Sequence, residues 1–174
     1  MPGRAEIARL VPQKGAMCLL DSVTAFSPDS IACRAVSHLD SANPLIAGGR
    51  LGVLCGCEYG MQAAALHGAL ISQNTLPPGR IAALRVTLMT VTRLDDPALG
   101  VLTVTARRRA LDPRGLLYDF HVLAEDGRAL LAGSGTVALI VPKGEMPKGE
   151  MPKGEMPEGE MPKGEKDQPK REPL

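Results

Sequence analysis

The strongest constraint on the fold lies between about Leu51 and Gln73. This stretch is rich in Ala and Leu, with Met61, Gln62, Ala63, Ala64, Ala65, Leu66 and Leu70 in succession, and has the composition of a helix. It is apolar on nearly every face, so other structure must enclose it. The run Asn74 to Gly79, with Pro77-Pro78-Gly79, ends it.

The flanking sequence supplies that enclosure. Ala16 to Phe26 and Ser30 to Ser37 read as two short strands broken by Ser27-Pro28-Asp29. His38 to Arg50, with Asp40, Ser41, Asn43, Pro44, Gly48 and Gly49, reads as a loop. Beyond the helix the pattern has period two. Leu84, Val86 and Leu88 alternate with Arg85 and Thr87 within Ile81 to Thr92; Leu102, Val104 and Ala106 alternate with Thr103, Thr105 and Arg107. Tyr118, Phe120 and Val122 alternate with Asp119 and His121, and Thr136 to Val141 closes the series. Asp95-Asp96-Pro97, Asp112-Pro113-Arg114-Gly115 and Glu125-Asp126-Gly127-Arg128 are turn-grade connections. Two strands, a buried helix and four antiparallel strands predict an α+β architecture, an antiparallel sheet wrapped around one long central helix. There is no βαβ alternation and no glycine-rich phosphate loop, which excludes nucleotide-binding Rossmann and P-loop readings; no cofactor is expected.

Composition divides the 174 residues into two materials. Met1 to Val141 holds 72 apolar residues and thirteen bases (Lys14 and twelve Arg) against eleven acids, a net charge of +2. From Pro142 the sequence reads PKGEM, PKGEM, PKGEM, PEGEM, PKGE and then KDQPKREPL. Pro at every fifth position and Gly in every unit stop both helix and interior strand, and the few Met cannot bury enough area to offset chain entropy. The expectation is one domain over 1–141 and a disordered tail without chemistry over 142–174. Near-neutral charge and only four aromatics, Phe26, Tyr59, Tyr118 and Phe120, argue against nucleic acid as a partner. No apolar run approaches the roughly 18 to 20 residues of a membrane span. The charged start, Met1-Pro2-Gly3-Arg4-Ala5-Glu6, lacks the core of a secretory signal. Cys18, Cys33, Cys55 and Cys57 have no metal-site spacing and read as small buried thiols in a reducing cytoplasm, so no metal is expected.

Few residues are placed to do chemistry. Glu58 stands near the start of the enclosed helix with Gln62 at i+4 on the same face. Such a carboxylate either faces a cavity or a buried partner, or is a first-turn acid at the surface favoured by the helix dipole. His38 stands where a strand ends and the loop toward the helix begins, a common setting for a catalytic group and also for a surface histidine. His67, nine positions after Glu58, lies about 180° round the helix from it. His121 shares a strand face with Asp119 and reads as solvated. Gly133-Ser134-Gly135 lies in strand sequence and is not a nucleophile elbow.

Three segments carry a resemblance. Leu10-Val11-Pro12-Gln13-Lys14-Gly15-Ala16-Met17-Cys18-Leu19-Leu20-Asp21-Ser22-Val23 resembles the N-terminal signature of 3-hydroxyacyl-(acyl carrier protein) dehydratases. Glu58-Tyr59-Gly60-Met61-Gln62-Ala63-Ala64-Ala65 resembles the start of that family's central helix. His38-Leu39-Asp40-Ser41-Ala42-Asn43-Pro44-Leu45, taken with Glu58-Tyr59 and Ala65-Leu66-His67-Gly68, is most similar to the branch associated with aryl polyene biosynthesis. The similarity spans roughly Leu10 to Val141 and implies a hot-dog fold.

By that resemblance, the substrate is a 3-hydroxyacyl thioester on the phosphopantetheine arm of an acyl carrier protein. His38 would remove the C2 proton, and Glu58 would protonate the departing 3-hydroxyl, with Gln62 holding the carboxyl or a water. Backbone amides around Val53 to Gly56 would stabilise the thioester oxyanion, and Gly52 and Gly56 would let substrate approach the backbone. Ala63, Ala64, Leu66 and Leu70 would line the acyl tunnel. In family members the histidine and the acid come from different subunits of a dimer, so a homodimer or a heterodimer with a second dehydratase-like subunit is implied. The chain departs from the usual pattern: Leu39-Asp40 replaces Phe-Pro after the histidine, 20 positions separate His38 from Glu58, and the glycine before the helix is shifted to Gly52. Two alternatives share the fold: a non-catalytic or half-site partner subunit, for which Arg107, Arg108 and Arg109 would offer a docking patch to an acidic carrier protein, and an acyl thioesterase.

Overall fold

The computed structural model describes residues 1–73, 77–112 and 115–140; the PKGEM repeats lie outside the described residues. The elements are α1 (Arg4–Leu10), β1 (Ser22–Phe26), β2 (Ser30–Ala35), α2 (Gly56–Ile71), β3 (Gly79–Met89), β4 (Leu102–Asp112), β5 (Gly115–Leu123) and β6 (Ala129–Leu139). Single 3-10 turns at Gly15–Met17, Ser37–Leu39, Val53–Cys55 and Pro97–Leu99 punctuate the connections. The six strands form one antiparallel sheet in the order β1-β2-β4-β5-β6-β3. This is the expected architecture, two strands before the helix and four after it.

Helix α2 packs across β2, β4, β5 and β6. Tyr59, Met61, Ala63, Ala64 and Leu66 are buried on it, so the apolar surround read from sequence is real. The sheet meets it with the period-two residues Leu102, Val104 and Ala106 of β4 and Leu116, Tyr118, Phe120 and Val122 of β5. Helix and sheet approach closely because glycines face each other's bulk. A Cβ at Gly60 would overlap the Phe120 ring, and one at Gly135 would overlap the Met61 sulfur. A Cβ at Gly133 would collide with the Arg85 carbonyl and Phe120. Gly133-Ser134-Gly135 is therefore a packing device of β6.

Three expectations change. The first strand is shorter than Ala16 to Phe26: Gly15–Met17 is a 3-10 turn, and the amides of Leu19 and Leu20 go to a helix side chain rather than to a neighbouring strand. Helix α1 was not foreseen, since Ile7 is its only buried residue and its sequence has little amphipathic signal. Strand β3 does not bury one face. It lies at the sheet edge, pairs only with β6 among the described residues, and is exposed apart from half-buried Val86, with register breaks at Ile81/Ala83 and Val86/Leu88. The opposite edge, β1, is covered by the chain's own N-terminus: Val23 donates its amide to the Pro2 carbonyl at 2.9 Å and Gly3 bridges to Ser22.

Candidate active site

Strand β2 ends at Ala35, and the chain turns through Ser37–Leu39 under side-chain control. Asp21 Oδ2 accepts the Val36 amide at 2.7 Å. Ser37 donates its hydroxyl to the Leu19 carbonyl at 2.7 Å. The Asn43 side-chain amide donates to the Ser37 carbonyl at 2.8 Å and to the Tyr59 hydroxyl oxygen at 3.0 Å. Because the Ser37 proton is spent on Leu19, the 2.9 Å contact between Tyr59 and Ser37 has Tyr59 donating to Ser37 Oγ. Tyr59 is fully buried, and burial pushes its hydroxyl above the usual tyrosine range, so it stays protonated as this network requires.

This network presents His38. The imidazole is 0% exposed, and neither ring nitrogen has a side-chain partner, although the Gly100 backbone interacts with the ring. Burial lowers its pKa below 6.5, outweighing the Gly100 backbone and the carboxylates of Asp21 and Asp95, which act in the other direction. The result is a buried imidazole that favours its neutral form. Buried polar atoms are ordinarily satisfied, and those that are not need a reason. Among the described residues three buried side-chain atoms lack a partner: the two His38 nitrogens and Oε1 of Gln13.

Gln13 leads to the second candidate group. Its side-chain amide donates to Glu58 Oε1 at 2.8 Å, so both orphaned residues lie at sites picked out by the histidine and the acid. Glu58 is half-buried in the first turn of α2. Among the described residues no hydrogen bond or ion pair joins His38 to Glu58, and the carboxylates acting on His38 are Asp21 and Asp95. Within one chain, then, the two candidate residues are not joined to each other among the described residues.

The remaining candidates fall into other roles. Gln62 is fully buried; its oxygen accepts from Leu19 and Leu20 at 2.7 and 3.3 Å, and its amide donates to the Met17 carbonyl at 2.9 Å. It braces the N-terminal segment instead of meeting Glu58. Of the helix-start amides, Val53 donates to the Thr92 carbonyl at 3.1 Å, Cys55 to Gly52, and Gly56 back into the 3-10 turn, which leaves Leu54. Gly52 faces open space, as close approach of a ligand needs, whereas Gly56 is small because Leu131, Val122 and Leu94 crowd it. The proposed tunnel lining is corrected in part: Ala63 and Leu66 are core, while Ala64 borders a cavity of about 320 Å³ with Ala65, Gly68, Ala69 and Ser72, farther along α2.

His67 does point away from Glu58. Its Nε2 must donate to the Ser27 carbonyl at 3.0 Å, so the neutral Nδ1 accepts from Tyr118 at 2.8 Å. Burial lowers the His67 pKa, and burial pushes that of Tyr118 up to about 12. His121 is exposed beside Asp119, Thr87 and Ser134. Arg108 pairs with Asp29 at 3.4 Å and Arg109 with Asp119 at 3.3 Å, so the basic run is partly neutralised. Sequence reading missed Ser37, Asn43, Asp21 and Gln13; the only signal for Tyr59 was its position beside Glu58.

A sequence profile of the ApeP-like family, described as ApeP dehydratase, matches residues 5–146. No curated protein sequence matches the chain. Among solved structures, the chain is similar to the dehydratase heterocomplex ApeI:P from Xenorhabdus doucetiae, with TM-score 0.67 and 17% identity over 78% of this chain and 91% of that one. It is also similar to a thioesterase from Haemophilus influenzae, with TM-score 0.59 and 14% identity over 80% and 92%. A thioesterase mutant from Pseudomonas aeruginosa gives TM-score 0.56 and 14% identity over 80% and 95%. At these identities the structural likenesses establish the hot-dog fold, one sheet wrapped on one helix. The profile match, which takes in the N-terminal signature, the His38 loop and the Glu58 helix, establishes more: the chain belongs to the ApeP-like dehydratase family.

Proposed function

We propose that the protein dehydrates 3-hydroxyacyl thioesters carried on an acyl carrier protein to trans-2-enoyl thioesters, in fatty acid or aryl-polyene-type biosynthesis in the cytoplasm. The observation that carries the reading is the buried His38 imidazole, favoured in its neutral form and without a side-chain partner. His38 takes the C2 proton, the C2–H electron pair becomes the C2–C3 double bond, and the C3–O bond breaks. Glu58 gives its proton to the departing hydroxyl, which leaves as water. The Leu54 amide, left over in the first turn before α2, faces the developing thioester oxyanion, and Gly52 gives the pantetheine arm room beside it.

Among the described residues no bond joins His38 to Glu58, and this separation within one chain supports a site completed by a second dehydratase-like subunit. Strand β3 offers the joint: a long edge carrying exposed Ile81, Leu84, Leu88 and Met89, a surface that a soluble protein rarely leaves unpaired. The same separation favours a second reading, in which this chain contributes only half a site. A thioesterase reading draws on the fold alone.

The test is an assay of the full chain, alone and with the subunit it co-purifies with, on 3-hydroxyacyl carrier protein, reading loss of one water by mass spectrometry. His38→Ala and Glu58→Gln should each abolish it. Unchanged turnover in both variants overturns the residue roles. Thiol release without water loss makes the protein a thioesterase. Activity that survives both changes in this chain but not changes in the partner makes it the accessory subunit.

A further inference from the structure

Two residues on either side of the candidate acid and base are consecutive with them and bonded to each other. Ser37 immediately precedes His38, and Tyr59 immediately follows Glu58. Their hydroxyls lie 2.9 Å apart in a fully enclosed setting. Asn43, at the far end of the His38 loop, reaches both the Tyr59 hydroxyl and the Ser37 carbonyl. The loop segment from Ser37 to Asn43 is therefore tied to one point on α2. Its register is held further by Asp40, whose carboxylate accepts the Ala42 amide at 2.8 Å, and by Asn43 Oδ1, which accepts the Leu45 amide at 3.0 Å.

We propose that Tyr59 is a positioning residue for the dehydration: its hydroxyl clamps the His38 turn onto α2, fixing the orientation of the imidazole and keeping water from it. This rests on the dehydratase reading and extends it to a residue that need not touch substrate. The imidazole has no side-chain partner, so apart from its interaction with the Gly100 backbone its aim is set by the path of the backbone turn and the packing around it. A ring without such anchors swings when the turn loosens, and a small misplacement of a catalytic group is costly. The charged groups acting on His38 are Asp21, just before β1, which also accepts the Val36 amide at the start of this turn, and Asp95, between β3 and β4; the Tyr59–Ser37 bond touches neither carboxylate. Loosening the clamp consequently changes the hydration of His38 while leaving its charged surroundings in place. Because Tyr59 follows Glu58 directly on the helix, the clamp also fixes the base-bearing turn relative to the acid-bearing turn of the same chain.

The experiment compares wild type, Tyr59→Phe and Tyr118→Phe in the full chain with its co-purifying subunit. Tyr118→Phe removes a buried hydroxyl that serves only the His67 bond, so it controls for loss of stability alone. The measurements are kcat and KM across pH, and a histidine-selective NMR titration of the three imidazoles, assigned with single His→Asn variants. Tyr59→Phe is expected to lower kcat about 10-fold to 100-fold with KM nearly unchanged. It should also move the acid limb of the profile and the His38 titration upward toward about 6.5, as water reaches the ring. Tyr118→Phe should lower the melting temperature and move neither. If Tyr59→Phe does not fold, Ser37→Ala removes the other end of the same bond and should give the same displacement. A His38 titration and acid limb that stay at the wild-type position in the folded variant overturn the clamp. The titration needs no turnover, so a wild type that fails to dehydrate overturns the dehydratase reading while the clamp is still judged.

Discussion

The carboxamide oxygen of Gln62 accepts the backbone amide of Leu19 at 2.7 Å, across 43 positions of sequence. With the bonds to Leu20 and Met17, one side chain satisfies three backbone groups of a segment that lies outside the sheet. Gln62→Leu keeps the volume and leaves those groups buried and unpaired. The expected loss is about 3 kcal/mol of stability, since each stranded group costs about 1 to 3 kcal/mol. Urea denaturation should show a lower midpoint with the slope retained, and a midpoint at the wild-type value would count against the brace.

The two buried histidines give the stability a direction in pH. Both His38 and His67 have their pKa lowered by burial, so the unfolded chain binds protons more readily than the folded one below about 6.5. Stability should therefore be fully present above that pH and fall as the pH drops from about 6.5 toward the lowered folded values. Each histidine contributes a slope of up to about 1.4 kcal/mol per pH unit in that window. Chemical denaturation at pH 7.5 and 5.5 should show the fall, and His67→Asn should flatten it.

The Phe120 ring fills the space that a side chain at Gly60 would need in the helix-sheet contact. Gly60→Ala improves helix propensity by about 1 kcal/mol but forces the ring aside. Overpacking of this kind costs about 1 to 3 kcal/mol, so the net effect should be a lower melting temperature. A higher one would mean that Phe120 has room to retreat.

Exposed Leu84 and Leu88 on β3 should report on assembly. Leu84→Lys with Leu88→Lys places two charges on the edge, the device by which natural sheets prevent pairing. Light scattering should show a smaller species than wild type, and an unchanged mass would move the joint elsewhere.

What sequence alone revealed follows its physics. The enclosed helix and the alternation in β4 and β5 are repeated local signals, and they gave the architecture directly. The partners of Glu58, Gln62 and Tyr59 were invisible, because Gln13, Leu19, Ser37 and Asn43 meet them through contacts 16 to 45 positions apart that no local pattern encodes. Gln62 illustrates the error this produces. Its i+4 spacing from Glu58 correctly puts both on one helix face, but the segment that folds over that face claims the side chain first. Gly56 misled in the same way: a glycine at a helix start reads as room for a ligand, and here Leu131 uses the room.

The N-terminus pinned along β1 has a consequence for how many copies can join. A sheet with two open edges can add neighbours without limit, and that is the geometry of fibres. Here the Pro2 carbonyl and Gly3 already occupy part of the β1 edge, and Pro2 itself has no amide to offer a newcomer. Of the two sheet edges, β3 is thus the more open to a neighbour among the described residues. Edge pairing at β1 therefore has to displace the Pro2–Val23 bond, whereas pairing at β3 displaces nothing among the described residues.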